Sequence, residues 1–173
     1  MQKITMNRVF ARANAWTFEI KPIQELLDRY VGDGKGWADP FAGKSTLCEY
    51  RNDMNPEHNQ PSMKESVVFA NELQRQGVVL DGVVFDPPYS HRQVSEHYKQ
   101  MGLKATSMDT SANFTIKVKR AFAPMIQSGG YAISFGWNTS GFGKVLGFEI
   151  IEVLDIAHGL THNDTLVTVE RKV

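Results

Sequence analysis

The sequence predicts an α/β protein built on a mainly parallel sheet, and three features predict it. Apolar, β-branched runs alternate along the chain with segments of helical spacing. One run, VVLDGVVFDPPYS, is almost continuously apolar until its two prolines, as in a strand buried on both faces. The last two strand-like runs, GFEIIEVLDIA and DTLVTVERK, have no helix between them, which adds an antiparallel strand at the edge of the sheet.

Taken in order, the elements begin after an irregular start. FEIKPIQELLDRYV places Ile20, Ile23, Leu27 and Tyr30 three to four apart, an amphipathic helix with Pro22 in its first turn. GDGKG breaks the chain, and WADPF opens the first core strand and its loop. The polar, proline-containing YRNDMNPEHNQP permits only a short strand that ends near Asp53. SMKESVVFANELQRQG reads as a helix with Ser62 as N-cap, Glu65 completing a capping box and Gly77 as the stop. The buried strand up to FDPPYS follows, then a short helix over HRQVSEHYKQMG and a longer one over ANFTIKVKRAFAPMIQ, bent or ended near Pro124. GGYAISFGW is a further buried strand, and HGLTHN joins the final pair.

At 173 residues the chain suffices for one domain, 1–173, with a core that needs neither disulfide nor metal. Its formal net charge of zero demands no nucleic-acid partner, although a locally basic surface can serve one on a neutral protein. The single cysteine, Cys48, excludes an intrachain disulfide and suits a reducing compartment. MQKITMNRVFARANAW has no apolar core of a signal peptide, and no apolar run approaches the ~18 residues of a membrane span. The expectation is a cytoplasmic protein without membrane contact.

ADPFAGKST ends like a phosphate-binding P-loop, but that loop needs a glycine five residues before Gly43, where Ala38 stands. Pro40 would also remove one of its amides. The other reading of DPFAG is a carboxylate at a strand end, a tight turn and a glycine that lets a bulky ligand approach the backbone. Asp39, Pro40, Phe41, Ala42 and Gly43 supply these in order. Asp53 ends the next strand, where a carboxylate can accept hydrogen bonds from both hydroxyls of a ribose. In Asp86, Pro87, Pro88 and Tyr89, two prolines after an apolar strand hold the backbone extended and leave carbonyls without ladder partners. A carboxylate and a carbonyl so placed accept both hydrogens of an amino group. Tyr89 adds an aromatic face on which a base can stack.

These motifs resemble those of the DNA adenine-N6 methyltransferases, along most of the chain. ADPFAG resembles their first motif, NDMNPE the second with Asp53 as its acid, and VVFDPPYS the catalytic fourth. WTFEIKP is similar to the segment that closes over the methionine end of the cofactor, which implies that role for Thr17, Phe18 and Lys21. GGYAISFGWN and HNDTLVTVERK resemble later strands. With DPPYS, RQVSE and SFGWN in this order, the likeness is to small phage-type enzymes. It implies a Rossmann-like methyltransferase sheet with an antiparallel last strand, S-adenosylmethionine as cofactor and DNA as partner, RNA being the alternative substrate. It also implies a flipped-out base and direct attack by the amine without a covalent enzyme intermediate. A catalytically silent relative that binds nucleic acid or cofactor is a third reading.

Three positions depart from the family. Ser45 stands where a second glycine is usual, the acid of the third motif is not evident beyond Glu65, and no segment remains for a separate target-recognition domain. Sequence reading then falls to short loops or to a second copy of the chain. The basic side chains available for phosphates are His91, Arg92, Lys99, Lys104, Lys117, Lys119 and Arg120. Cys48 lacks the preceding proline of a cytosine-type nucleophile and reads as a small buried residue. His158, His162 and Asp164 have spacing that suggests zinc, but they sit in an inter-strand loop without a third ligand cluster, so no metal is expected.

Overall fold

The computed structural model describes residues 3–88, 112–159 and 163–173. Seven strands form one sheet: β1 (Thr5–Phe10), β2 (Trp37–Asp39), β3 (Tyr50–Arg51), β4 (Leu80–Phe85), β5 (Ile126–Gly136), β6 (Phe148–Ala157) and β7 (Thr165–Lys172). Their spatial order is β1-β6-β7-β5-β4-β2-β3. The β5-β4-β2-β3 half is parallel throughout, and β7 runs antiparallel to both β5 and β6.

The antiparallel strand therefore exists, but it is not at the edge. β7 lies inside the sheet, and the edge is formed by β1, which pairs parallel to β6 from a segment expected to be irregular. Five of the six β1 residues are exposed, so no apolar period marks the strand in sequence. It is fixed from outside its own pattern, by the β6 ladder and by Arg8, 3.0 Å from Asp155.

Helix α1 (Lys21–Tyr30) covers one face of the sheet, burying Ile23, Leu26 and Leu27 against Val84, Ile133, Ile156 and Val167. Helices α2 (Ser66–Arg75) and α3 (Ala112–Phe122) cover the other, with Phe69, Leu73, Val118 and Phe122 against Val83, Phe85 and Ala132. Strand alternation sends Val83 and Phe85 to one layer and Val84 to the other, and all three are essentially unexposed. This is the strand buried on both faces that the apolar run implied. As expected, α3 gives way to a tight turn, Ala123–Met125, at Pro124.

The capping box is not formed. Helix α2 begins at Ser66, and the Ser62 hydroxyl donates instead to Asn52 Oδ1 at 2.7 Å, in a short parallel bridge beside β3. The carboxamide of Asn52 is buried and needs partners more than a solvated helix end does. The expected helix over HRQVSEHYKQMG lies outside the described residues.

β4 depends on the absence of a side chain at Gly82, its register partner on β2 being Trp37. A Cβ at Gly82 would sit 2.5 Å from the buried Trp37 ring. Gly82→Ala is expected to destabilise the protein by about 1–3 kcal/mol through overpacking, seen as a lower urea midpoint at unchanged slope; a midpoint equal to wild type would show that the ring can yield.

Candidate active site

Strand β2 delivers the chain into the Asp39–Leu47 loop, and residues from the fifties and sixties hold that loop in shape. Asp39 is completely buried and accepts from Phe41 N at 3.0 Å. Asn52 donates to Pro40 O and Lys64 O at 3.2 and 2.9 Å. The Gln60 amide donates to Gly43 O at 2.7 Å and Ser45 O at 2.9 Å, while its oxygen accepts from Arg51. Gly43 has φ +53, the left-handed region that suits glycine, and an added Cβ there would meet only the Trp16 ring at 3.8 Å. Ser45 turns its hydroxyl back to accept from Leu47 N at 3.2 Å, so this side chain serves the turn.

Asp53 joins this loop to the next. One carboxylate oxygen accepts from Gly43 N at 2.8 Å; the other accepts from Asn55 N at 2.9 Å and lies 3.0 Å from His58 Nδ1. A carboxylate offers about four lone-pair sites, so the two amide bonds leave Asp53 with acceptor capacity to spare.

Both loops open onto a cleft of about 900 Å³, which also reaches Asp86, Pro87 and Pro88 at the end of β4. Its other wall is the turn before α1, where Trp16, Thr17 and Phe18 face it, with the Phe18 ring 5.2 Å from Phe135. Thr17 hydrogen-bonds Asp86 through its side chain. Burial raises the Asp86 carboxyl to about 7, against the opposing pull of the Thr17 bond. Asp39 is held well above the usual carboxylate range by its burial, opposed by the Phe41 amide and reinforced by the charges of Asp86 and Asp53. Asp53 and Asp86 bring two carboxyl groups to the wall of the cleft.

Of the expected site residues, Thr17, Phe18, Pro40, Phe41, Ala42, Gly43, Asp53, Asp86, Pro87 and Pro88 come together around this cleft. Asp39 lies beneath it. Lys21 does not line it: the side chain is 85% exposed and stands 4.0 Å from Glu25 one helical turn on. Trp16, His58 and Phe114 line the cleft without having been expected to. Tyr89, His91 and Arg92 lie outside the described residues, as do Lys99, Lys104 and His162.

Among the basic side chains of α3, Lys117 and Arg120 are exposed. Lys119 turns inward, donating to Ser140 O at 2.7 Å and Gly141 O at 2.8 Å over the Phe85 ring, which removes its ammonium from phosphates. Cys48 is buried, and burial pushes its thiol far up. His158 bridges Ala11 O and Thr165 Oγ1, while Asp164 takes Arg8 at 2.8 Å. No group of metal-binding side chains occurs among the described residues.

No protein-family model matches the sequence, and no curated protein matches it either. Solved structures do match. TrmN from Thermus thermophilus superposes with a TM-score of 0.53 at 16% identity, over 89% of this chain and 49% of TrmN. This chain thus spans about half of TrmN. The N-methyltransferase NodS from Bradyrhizobium japonicum WM9, in complex with S-adenosyl-l-homocysteine, superposes with a TM-score of 0.56 at 11% identity, over 92% of this chain and 89% of NodS.

The fold is that of the S-adenosylmethionine-dependent methyltransferases. In this methyltransferase fold the cleft lies at the carboxyl ends of the parallel strands β2, β3 and β4, the usual position for a ligand in an open α/β sheet. No helix among the described residues is long and apolar enough to cross a membrane.

The buried Asp39 gives a stability test. Because folding raises its affinity for a proton, stability is greatest below the ordinary carboxylate range and declines as pH climbs toward the raised value. Asp39→Asn, which keeps the acceptor for Phe41 N, should gain on wild type as pH rises from about 4, the ordinary aspartate value, toward the raised value of the fold. Paired denaturant melts across that range measure the difference; a gap that stays constant would show that Asp39 is ionised in the fold.

Proposed function

We propose that the protein transfers a methyl group from S-adenosylmethionine to the exocyclic N6 amine of adenine in DNA. The observation that carries this reading is that Asp86, Pro87 and Pro88 share one cleft with the Gly43 loop and Asp53. A cofactor site and an amine-accepting turn are then within one ligand's reach.

The residues fit the cofactor. Gly43 leaves its side of the loop open, and Asp53 retains an acceptor for one ribose hydroxyl. Thr17 and Phe18 form the wall opposite, where the methionine end would lie. When bound, the cofactor supplies an electrophilic methyl group. Asp86 accepts one hydrogen of the target amine and the carbonyl of the proline turn accepts the other, which draws the nitrogen lone pair out of conjugation and aims it. The amine must lose a proton on methylation, and Asp86, a carboxylate whose affinity has been raised to about 7, is suited to receive it. Tyr89, next in sequence, is assigned the stacking of the flipped base.

DNA is preferred as partner on the resemblance of DPFAG, NDMNPE and DPPYS to adenine-N6 enzymes. The exposed Lys117 and Arg120 supply charge for phosphates.

Purified protein should transfer labelled methyl to unmodified DNA, and Asp86→Ala should lower kcat by at least ~100-fold while cofactor affinity stays the same. Incorporation into RNA but not DNA would replace DNA as substrate; cofactor binding without transfer to either would make the protein a silent relative. The pH profile gives an independent check. kcat/KM should rise with pH through about 7 as Asp86 ionises. Thr17→Val removes a bond that favours the carboxylate and should move that limb to higher pH. A limb near the ordinary carboxylate value in both proteins would remove Asp86 from the mechanism.

A further inference from the structure

Two ionic side chains, one buried and one half-buried, have no part in the chemistry above, and both hold the same surface loop. Glu170 on β7 is 1% exposed, yet its carboxylate accepts from the backbone amides of Phe142 and Gly143, the latter at 2.8 Å. Lys119 on α3 reaches the same loop from the other side, donating to the carbonyls of Ser140 and Gly141. A Cβ on Gly141 would overlap the Glu170 carboxylate, so backbone and charge are packed directly together. The loop adds its own ties, Ser140 N to Asn138 Oδ1 at 2.9 Å and Gly141 N to Thr139 O at 2.9 Å. Removing charges from water is costly, so the arrangement trades stability for a loop of fixed shape.

The fixed loop stands beside the catalytic turn. Phe85, the last residue of β4, is the register neighbour of Ser134 on β5. Trp137 follows Gly136, the last residue of β5, three positions beyond Ser134. Phe142 packs edge-on to Phe85 at 5.7 Å, which braces the loop against the residue just before Asp86. Trp137 is 49% exposed and is followed by the exposed Asn138, Thr139 and Ser140. None of these four lines the cleft. An indole among amide and hydroxyl side chains, with the exposed Lys144 just beyond, suits a planar base on a charged backbone better than an apolar protein surface.

We infer that Trp137–Ser140 is a preorganised nucleic-acid contact in which the Trp137 indole stacks on a base of the DNA strand adjoining the methylated adenine. This deepens the methyl-transfer reading and rests on it for the identity of the strand. Lys119 and Glu170 act as positioning residues through the loop backbone.

The test is the affinity of the full chain for a fluorescently labelled, mixed-sequence single-stranded DNA, followed by anisotropy at fixed low salt. Stacking on an aromatic is sequence-tolerant, so the target site need not be known. Trp137→Ala should weaken binding by roughly tenfold or more, and Trp137→Phe should restore most of it. Affinity for S-adenosylhomocysteine should be unchanged in both. Equal DNA affinity in wild type and Trp137→Ala overturns the inference, as does a loss in both variants that is matched by lost S-adenosylhomocysteine affinity, which would make the indole a support of the fold. Binding is read without catalysis. A protein that binds DNA through Trp137 but methylates nothing would refute the proposed reaction and leave this contact standing.

Discussion

A carboxylate at the tip of a strand buried on both faces has one direction in which it can meet a ligand, and the arrangement around Asp86 follows from that constraint. Val83, Val84 and Phe85 are locked between two helical layers, so β4 cannot shift without disturbing both. Past Phe85 the two prolines forbid helix and remove ladder donors, and the chain enters the cleft extended. Thr17, from the turn before α1, then binds the carboxylate from the opposite wall. The raised proton affinity of Asp86 is the consequence of this burial, and it brings the group's ionisation into the neutral range.

The cofactor side of the cleft is built on a different principle. Its loop anchors Phe41 and Ala42 in the core, and its backbone is held by buried polar side chains, Asn52 and Gln60, each satisfied at both ends of its amide. Gln60 accordingly satisfies the carbonyls of both Gly43 and Ser45. Asp53 belongs to this network, accepting from Gly43 N and Asn55 N, as well as being the proposed acceptor for the ribose. On the proposed reading, positioning of the cofactor and folding of the loop are one event.

What could be read in the sequence is what leaves a local pattern. The doubly buried β4, the amphipathic α1 with Pro22 in its first turn, and the strand-end motifs DPFAG and DPPY show in periodicity and turn chemistry alone. What could not be read depends on partners distant along the chain. β1 lies exposed at the edge and becomes a strand only because β6 offers a ladder. Gln60 and Asn52 sit in a polar stretch that looks solvated and are buried only once the loop folds back over them. Lys119 looks like any other basic residue of its helix until Ser140 and Gly141 are seen beside it. The antiparallel β7 was evident, but not that β6 and β1 would lie outside it.

The account stands on the cofactor cleft and the Asp86 turn being one working space. A crystal structure with S-adenosylhomocysteine bound tests this most directly. The account predicts the ribose at Asp53, the homocysteine end along Thr17 and Phe18, and the sulfur facing the Asp86 carboxylate across room for one amine. A ligand bound outside this cleft, or one whose sulfur points away from Asp86, would contradict it.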